Sequence, residues 1–236
     1  MPRDTLQSVA RDIVACERCP ELRRYCQEVA RRRRRAYQHE TYWGRPVPPF
    51  GDRRARLLVL GLAPAAHGGN RTGRIFTGDA SGDFLFAALY RAGFANRPAS
   101  TRPGDGLRVK DAYITAVLHC APPGNKPTAR QLARCREHLV RELRLLKRVR
   151  AVLALGRIAF DHFLVTLREM GFSPAGRTRP AFGHGRSYDL GPGLPRLFAA
   201  YHPSQQNTFT GRLTPAMMDR VLKDIRAYLQ GEAFSR

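Results

Sequence analysis

Residues 61–79 combine several glycines with side chains that can stack on a ring or exchange hydrogen bonds. The stretch reads GLAPAAHGGNRTGRIFTGD and contains five glycines, together with His67, Asn70, Phe76 and Asp79. Glycine permits positive φ and lets backbone amides come close to a ligand. The stretch has neither the lysine of a P-loop nor the G-x-G-x-x-G spacing of a dinucleotide site. It predicts a ligand-binding loop, with a flexible surface loop as the alternative.

Five cysteines form the second group of chemically capable residues. Cys16 and Cys19 make a C-x-x-C pair, while Cys120 and Cys135 lie far downstream. In a reducing cytoplasm such a set indicates a metal site more than a disulfide. Four thiolates can hold either zinc or an iron-sulfur cluster. Ordinary buried cysteines are the alternative, above all for Cys26.

The charge of the chain favours a polyanionic partner. Lysine and arginine number 41 against 19 aspartates and glutamates, which gives a formal net charge of +22 over 236 residues. Neutralising phosphates with basic side chains supplies most non-specific affinity for nucleic acid, so DNA or RNA is the first candidate and an anionic membrane surface the second. A GC-rich genome can also raise the arginine content. No apolar run is long enough to span a membrane and the first residues lack a signal-peptide core, so we expect a cytoplasmic protein.

Four short apolar runs predict the buried strands that position these residues. They cover residues 56–60, 111–118, 151–156 and 196–201. Helical patterns follow each of them, from Asp79 or Ser81 to residue 92, over 129–147, over 157–170 and from Thr214 onward. Thr128 and Gln131 form a capping box, and Pro215 is a favourable first helical residue. This alternation predicts one α/β domain with a parallel sheet covered on both faces, whose ligand site lies at the carboxyl ends of the strands.

An N-terminal helical arm precedes the first of these strands. Two helical patterns cover residues 5–15 and 21–35, and the second carries the run Arg31 to Arg35, which is either a solvated face or a phosphate-contacting patch. The connector 42–51 is too rich in proline for a regular element. A second glycine- and proline-rich segment covers 171–195, with a hairpin predicted around residues 187–190.

Taken in order, these motifs resemble the family-5, type-B uracil-DNA glycosylases of the iron-sulfur branch of the uracil-DNA glycosylase superfamily. The motifs that carry the resemblance are Cys16-x-x-Cys19-Pro20, the segments 61–68 and 70–79, residues 120–128 (which include Cys120 and Asn125), Cys135, Leu155-Gly156, and His202-x-Ser204-x-x-Asn207. The resemblance implies a three-layer α/β/α sandwich around a four-stranded, mostly parallel sheet. It also implies excision of deaminated bases from DNA and one structural 4Fe-4S cluster that ties the arm, about residues 1–50, to the single domain 1–236.

The same resemblance, together with the chemistry of base flipping, assigns the site residues. A flipped base needs a stacking surface, contacts to its edge and stabilisation as a leaving anion. The catalytic residues are expected to be His202, Asp79 and Asn125, and the base-binding residues Ala63, Ala65, His67, Phe76 and Ala116. The DNA-binding residues are expected to be Asn70, Arg71, Lys126, Ser204, Gln205, Gln206 and Asn207. The cluster ligands are expected to be Cys16, Cys19, Cys120 and Cys135, with Cys26 as a spare cysteine. Alternative roles are a helix cap for Asp79, a core aromatic for Phe76 and a structural histidine for His202.

Two departures from the family pattern bear on substrate and mechanism. Related branches carry an acidic or amide residue where this chain has Ala63 and Ala65, so water must be positioned from elsewhere. The uracil-specific iron-sulfur branch ends its second strand with an asparagine where this chain has Ala116, whose side chain cannot hydrogen-bond. A pocket without that reader discriminates less, because rejection of a wrong base depends on unpaired buried polar groups. We therefore expect release of uracil and also of hypoxanthine and xanthine.

The resulting hypothesis is a monomeric, monofunctional DNA glycosylase of base excision repair that hydrolyses the N-glycosidic bond and leaves an abasic site. Its substrate is double-stranded DNA, with single-stranded DNA left open, and no membrane partner is expected. The rival from another class is a non-catalytic nucleic-acid-binding protein with an iron-sulfur or zinc site, for which the charge and the cysteines would suffice.

Overall fold

A six-stranded sheet forms the centre of the protein in the computed structural model, which describes residues 4–172 and 180–231. The strand order is β1-β3-β2-β4-β6-β5. The strands are β1 Phe50–Gly51, β2 Leu57–Gly61, β3 Ala112–Ala116, β4 Ala151–Leu155, β5 Ser187–Tyr188 and β6 Arg196–Ala200. The four central strands are parallel and correspond to the four predicted apolar runs.

Both faces of the central strands are covered by helices, as the sequence predicts. Along β2, Leu57 and Val59 enter a core that the helices 80–91 and 215–230 complete, whereas Leu58 and Leu60 enter a second core under the helices 129–145 and 157–169. A strand with two buried faces needs apolar side chains at every position, which explains why these strands are continuously apolar. The helices are α1 Leu6–Val14, α2 Pro20–Arg32, α3 Gly69–Thr72, α4 Ala80–Arg91, α5 Ala129–Leu145, α6 Arg157–Glu169, α7 Gln205–Phe209 and α8 Pro215–Gln230.

The number of strands is a correction to the prediction of four. β1 pairs antiparallel with β3, and β5 pairs antiparallel with β6, so each edge of the sheet carries a two-residue strand. β1 lies in the connector that the sequence excludes from regular structure, because Phe50 and Gly51 follow the prolines and are free to pair. The hairpin predicted near residue 187 corresponds to the β5 and β6 pair. Residues 173–179 of the segment predicted for 171–195, and the first three residues, lie outside the described part of the chain.

Local capping fixes where the helices begin. Thr128 and Gln131 form the predicted capping box at α5, with side-chain to backbone distances of 3.2 and 2.9 Å. Thr214 caps α8 ahead of Pro215. Asp79, one of the two residues predicted to cap α4, accepts the backbone N–H of Gly82 at 2.9 Å.

The N-terminal arm is fastened to the domain by packing and by ion pairs. Arg141 of α5 binds Asp4 and Asp12 at 2.7 and 2.6 Å, which holds α1 against α5. The side chain of Asn70 in α3 donates to the backbone carbonyl of Cys26 in α2 at 3.2 Å. Among the described residues, no helix is long and apolar enough to cross a membrane.

A buried carboxyl group lies between α5 and the sheet. The Glu142 side chain is fully buried and accepts from the Thr115 hydroxyl at 2.9 and 3.2 Å and from the Tyr113 hydroxyl at 3.4 Å. Burial raises the pKa of Glu142 to about 8, since the charged form would lose its hydration. The group is therefore neutral in the folded protein at pH 6 and ionised in the unfolded chain.

This shift predicts that the folded state loses stability as the pH rises from 5 to 8. An acid whose folded pKa is raised contributes most to stability below its unfolded pKa. Between its unfolded and folded pKa values this contribution is lost at about 1.4 kcal/mol per pH unit. Glu142→Gln should remove this part of the pH dependence, measured as the free energy of unfolding in urea. Glu169→Gln, at a half-exposed ion pair with Arg136, is the control and should leave the slope unchanged. Equal slopes for wild type and Glu142→Gln would contradict the assignment.

Candidate functional site

A cavity of about 640 Å³ opens at the carboxyl ends of the parallel strands, where the sequence predicts the ligand site. The loop after β2, the segment before α4, the turn after β3 and the segment after β6 all contribute to its wall. The described residues that line it are Tyr25, Arg34, Tyr37, Leu62, Ala63, Ala65, Ala66, His67, Gly68, Phe76, Gly78, Asp79, Ala80, Ser81, Pro122, Gly124, Asn125, His202, Ser204, Gln205 and Gln206.

Phe76 supplies an aromatic wall whose position depends on a glycine of β2. A Cβ atom on Gly61 would lie 2.8 Å from two carbons of the Phe76 ring, so the ring packs directly on the backbone at the end of the strand. Phe76 itself has a φ of 52°, an uncommon conformation for a bulky residue. Its ring centroid lies 5.8 Å from that of His202, with 32° between the planes. The cavity therefore has two neighbouring aromatic rings in its wall.

His202 follows β6 directly and enters the cavity as a neutral imidazole. Burial lowers the pKa of His202 to about 4, because the charged form would be poorly solvated there. The Asn207 side chain donates to the His202 carbonyl at 2.8 Å and so fixes the backbone that carries the ring. A neutral imidazole can donate one hydrogen bond to a ligand without bringing a full charge into the cavity.

Asp79 both caps α4 and lines the cavity. Its Oδ1 atom accepts from Gly82, while a Cβ on Gly68 would lie 1.8 Å from its Oδ2 atom, so the second oxygen occupies space that only glycine leaves free. Burial raises the pKa of Asp79 above its ordinary value. The two roles that the sequence leaves as alternatives, cap and site residue, are compatible in the geometry of this carboxyl group.

The loop after β2 presents methyl groups and backbone amides to the cavity. In the described part of the chain, the N–H groups of Ala63, Ala65 and Ala66 have no hydrogen-bond partner in the protein. The carbonyl of Ala65 accepts from Gly68 and Asn70 at 3.2 and 3.0 Å, which holds the loop in a tight turn. His67 contacts the Tyr42 hydroxyl through Nδ1 at 3.1 Å. The loop can bind a polar ligand edge through its backbone.

Asn70 and Arg71, predicted to contact DNA, lie inside the protein instead. Asn70 is fully buried and bonds the arm. Arg71 is buried, donates to the carbonyls of His67 and Gly78 at 2.7 and 2.6 Å, pairs with Glu40 and packs over the Tyr37 ring at 3.9 Å. Both side chains are consumed in fastening the loop to the arm, so neither is available to a phosphate backbone.

The remaining predicted residues fall at different depths. Ala116 is buried in the same core cluster as Phe76 and is not among the described residues that line the cavity. Asn125 lines the cavity from an exposed turn in which its φ is 57°. Lys126 is exposed next to it. The wall also includes Ser204, Gln205 and Gln206. The Asn207 side chain bonds the backbone carbonyl of His202.

The arm contributes three lining residues that sequence reasoning did not assign to the site. Tyr25, Arg34 and Tyr37 line the cavity from α2 and the turn after it. The backbone N–H of Arg34 donates to the Tyr42 hydroxyl at 3.3 Å, which links this turn to His67. The tyrosines that precede and follow the arginine run are the sequence signal that was available. Glu28 pairs with Arg31 and Arg32, so part of that run forms a charge-paired helix face.

A second cavity, of about 400 Å³, adjoins the first and shares Leu62 and His202 with it. It lies at the amino end of α6, next to the predicted Leu155-Gly156 motif. Arg157 stacks over Phe182 at 5.5 Å and Arg212 over Tyr201 at 4.7 Å. The two stacked guanidinium groups make this flank of the site basic.

The four predicted cysteine ligands line one small cavity of about 20 Å³ on the arm side of the sheet. Cys16 and Cys19 come from the turn between α1 and α2, Cys120 from the end of β3 and Cys135 from α5. Among the described residues, no three histidine, cysteine or acidic side chains are arranged closely enough to hold a metal ion. Cys26 is fully buried beside this cavity, and its thiol approaches the carbonyl of Ala121 at 3.6 Å.

Two buried histidines line the same small cavity. His119 uses Nδ1 on the carbonyl of Val47 at 2.8 Å, while its Nε2 and both ring nitrogens of His138 are buried without a partner in the described structure. Unpaired buried polar atoms are rare in proteins and call for an explanation. In chemical type, four thiols around one cavity match the ligands of a sulfur-rich cluster, and the neutral His138 ring has one N–H that can donate to a sulfur atom.

Comparison with known proteins gives one consistent result. A sequence model of the uracil DNA glycosylase superfamily matches residues 48–226. A type-5 uracil-DNA glycosylase of Mycobacterium tuberculosis is 52% identical over 215 residues, which cover 91% of this chain and 78% of the relative. The corresponding proteins of Mycobacterium leprae and Thermus thermophilus are 50% and 48% identical. They cover 91% and 93% of this chain, and 91% and 96% of their own lengths.

Proposed function

The chain belongs to the uracil-DNA glycosylase superfamily, and on that premise we propose that it removes uracil and other deaminated bases from DNA, leaving an abasic site for base excision repair. Uracil-DNA glycosylase activity, the hydrolysis of an N-glycosyl bond, follows from identities of 48–52% with type-5 enzymes over more than nine-tenths of the chain. The observation that carries the residue assignment is the cavity that joins Phe76, His202 and Asp79 at the strand ends.

Base binding requires a stacking surface and contacts to the polar edge. The Phe76 ring, held against Gly61, is the stacking surface in our proposal. The free amides of Ala63, Ala65 and Ala66 donate to base carbonyls, as backbone groups at a strand end commonly do. A glycosylase must extrude its target nucleotide into such a pocket before the reacting bond becomes accessible.

Departure of the base creates negative charge on its ring, and His202 is the group that stabilises it in our proposal. A neutral imidazole with a pKa near 4 donates one hydrogen bond at physiological pH. Preorganised donors aimed at a developing anion commonly contribute 10²–10³ to the rate. Asn207 acts as a positioning residue for His202, through the 2.8 Å bond to its carbonyl, and not through contact with DNA.

The attacking water needs an acceptor, and Ala63 and Ala65 offer none. Among the described residues that line the cavity, Asp79 has the only carboxyl group. Its raised pKa makes it a better proton acceptor than an ordinary aspartate, and Gly68 leaves its Oδ2 atom uncovered by a side chain. We propose that Asp79 orients the attacking water and that Asn125, which also lines the cavity, is a second polar contact.

The proposed range of bases includes hypoxanthine and xanthine. Its support is the volume of the cavity and the methyl groups of the 63–66 loop, which leave room for a purine and provide no side chain that would reject one. No lysine occurs among the described residues lining the cavity, which supports hydrolysis without a lyase step. Lys126 at the rim is better suited to a phosphate.

The cysteine cavity would hold one 4Fe-4S cluster through Cys16, Cys19, Cys120 and Cys135 in our proposal. The donor set fits in chemical type, and the single N–H of the neutral His138 ring would find an acceptor in a cluster sulfur. When bound, such a cluster supplies cross-linking of distant segments. It would tie the arm, with Tyr25, Arg34 and Tyr37, to the sheet that carries the rest of the site.

The proposed substrate range predicts that three different bases are released from the same position of an otherwise identical duplex. Oligonucleotides with uracil, hypoxanthine or xanthine at the same position should all give abasic sites, in double-stranded and, for comparison, single-stranded form. The measurement is the single-turnover rate of base release, followed by alkaline cleavage. Uracil release without either purine would contradict the broad range, and borohydride trapping of a covalent DNA adduct would contradict the absence of a lyase step.

The roles of His202 and Asp79 predict losses of chemistry with retained binding. His202→Ala should lower the single-turnover rate about 10²–10³-fold, and Asp79→Asn about 10²–10⁴-fold, while the Kd for uracil-containing DNA changes little. Asparagine still caps α4, and Asp83→Asn removes a charge from the same helix outside the cavity, so these variants control for folding and for charge. A non-catalytic binding protein would release no base in any form.

The pH dependence of this rate follows from the same shifts. The rate should rise with pH through the raised pKa of Asp79 and then stay level to pH 8, since His202 is already neutral there. In Asp79→Asn, the rise of the rate with pH on the acid side of the profile should be absent. A rate that falls between pH 5 and 7 would require a protonated His202 and would contradict the assignment.

The cluster proposal predicts iron and acid-labile sulfide in protein purified without oxygen. Wild type should be brown and contain about four iron atoms per chain. Cys120→Ser should lose iron and visible absorbance, whereas the neighbouring Cys26→Ser should keep both. His138→Phe should keep the ligands but release iron faster to a chelator. Stoichiometric zinc in place of iron would contradict the proposal.

A further inference from the structure

Three arginines of the run Arg31 to Arg35 use their side chains within the arm. Arg31 and Arg32 both pair with Glu28 on the exposed face of α2. The guanidinium group of Arg33 donates to a backbone carbonyl five residues further on, at 2.7 Å. These three groups therefore have partners inside the protein, and their positions are explained by the structure of the arm.

The other two arginines of the run have unpaired side chains. Within the described residues, neither Arg34 nor Arg35 has a side-chain hydrogen bond or an ion pair, and both residues are exposed. Arg34 lines the base cavity, whereas Arg35 is not among the described residues that line it. Two neighbouring residues thus carry the same charge, and they differ in their relation to the cavity.

The backbone around Arg34 is held on both sides. Its N–H donates to the Tyr42 hydroxyl at 3.3 Å, and its carbonyl accepts from the N–H of Tyr37 at 2.8 Å. The preceding residue, Arg33, ends α2 with a φ of 53°. Positive φ is uncommon for a residue with a side chain, and it persists only where the surrounding contacts hold it. The turn therefore presents the Arg34 side chain from a defined position.

Arg34 lies beside the loop that follows β2. The Tyr42 hydroxyl, which binds the N–H of Arg34, also contacts Nδ1 of His67 at 3.1 Å. Burial, followed by the positive charges of Arg34 and Arg71, lowers the pKa of His67, which agrees with a guanidinium group close to that imidazole. Because Arg34 is exposed and also lines the cavity, its side chain lies at the mouth of the cavity and not on its floor.

We propose that Arg34 binds a phosphate group that flanks the extruded nucleotide. This assignment rests on the proposed function of the cavity. Extrusion turns the target nucleotide out of the helix about its own backbone, so that the two phosphates flanking it come to the mouth of the cavity. A guanidinium group has parallel N–H donors that match two phosphate oxygens. The contact would form only when the nucleotide is extruded, and it would therefore stabilise that state.

Charge favours a phosphate over the base as the ligand of Arg34. The phosphates are the permanent anions of the substrate, whereas the base is neutral until its bond to the sugar breaks. Asp79 has the only carboxyl group among the described residues that line the cavity, and it forms no ion pair with Arg34. The guanidinium group thus keeps its full charge for the substrate. The other basic groups of the surface supply non-specific attraction along the duplex.

A double-mutant cycle between protein and DNA tests this contact. Single-turnover release of uracil is measured at subsaturating protein, from duplexes in which one phosphate is replaced by a neutral methylphosphonate. The replaced phosphate is the one 5′ of the uracil nucleotide, the one 3′ of it, or a distant one. Arg34→Gln should lower the rate on unmodified DNA about tenfold, as expected for the loss of a charge-assisted hydrogen bond. At one of the two flanking positions, the methylphosphonate should slow wild type by a similar factor and slow Arg34→Gln little further.

Arg35→Gln is the matched control, because it removes the same charge from the next residue, outside the cavity wall. Its effect should multiply with that of either flanking methylphosphonate, as it does for independent sites. Partial misfolding of a variant would lower the rate by the same factor on every duplex. It therefore cannot imitate the coupling that is expected for Arg34.

The other results would overturn the phosphate contact. They are an unchanged rate for Arg34→Gln, or effects that multiply with both flanking methylphosphonates. Equal coupling to the distant phosphate would leave only general attraction. A loss that differs among uracil, hypoxanthine and xanthine, without coupling to a phosphate, would assign Arg34 to the base instead. If wild type released no uracil from unmodified DNA, the proposed function itself would fail, before any variant is compared.

Discussion

Three glycines determine the shape of the base cavity, because each receives an atom that a side chain would displace. The Phe76 ring packs on Gly61, the Asp79 carboxyl occupies the space over Gly68, and the Phe76 carbonyl lies where a Cβ of Gly82 would be, at 2.1 Å. Because the three glycines have no side chains, these contacts bring the end of β2 and the start of α4 close together. The stacking surface and the single cavity-lining carboxyl group of the described chain are thus placed by backbone atoms, which move less than side chains.

Burial shifts the pKa values of two titratable groups in the cavity. Burial lowers the pKa of His202 and raises that of Asp79, so both shifts oppose charge. Apart from Arg34, which lines the cavity from the arm, the basic groups lie outside it, on α2, beside the second cavity and at Lys126. Such a division suits a reaction on a neutral base within a polyanion: the rim attracts the phosphates, and the interior reserves its donors for charge that develops during bond cleavage.

The arm is part of the site and not an appendage to it. Arg71 joins the 61–79 loop to the arm through Glu40 and Tyr37, and Tyr42 joins His67 to the turn at Arg34. The arm also brings Cys16 and Cys19 to Cys120 and Cys135. Any group that bridged these four thiols would stabilise one wall of the cavity from a distance, through the position of α2.

The sequence by itself determined the elements and their order. Strands buried on both faces must be continuously apolar, and caps such as Thr128 with Gln131 act within a few residues. Both features can therefore be recognised in the amino-acid sequence. The convergence of the loops after β2 and β6 followed from the parallel topology. Of the two edge strands, β5 was predicted as part of a hairpin, whereas β1 was not, since so short a pairing leaves no periodic pattern.

Only the tertiary structure decided which polar residues of the loops face the cavity. Asn70 and Arg71 are residue types that often contact DNA, yet both are buried against the arm, which is distant in sequence. Ala116 is buried in the core, while Tyr25, Arg34 and Tyr37 line the wall. The burial and the hydrogen-bond partners of a loop side chain depend on segments that are far away along the chain. The sequence of the loop does not show which of those segments will pack against it.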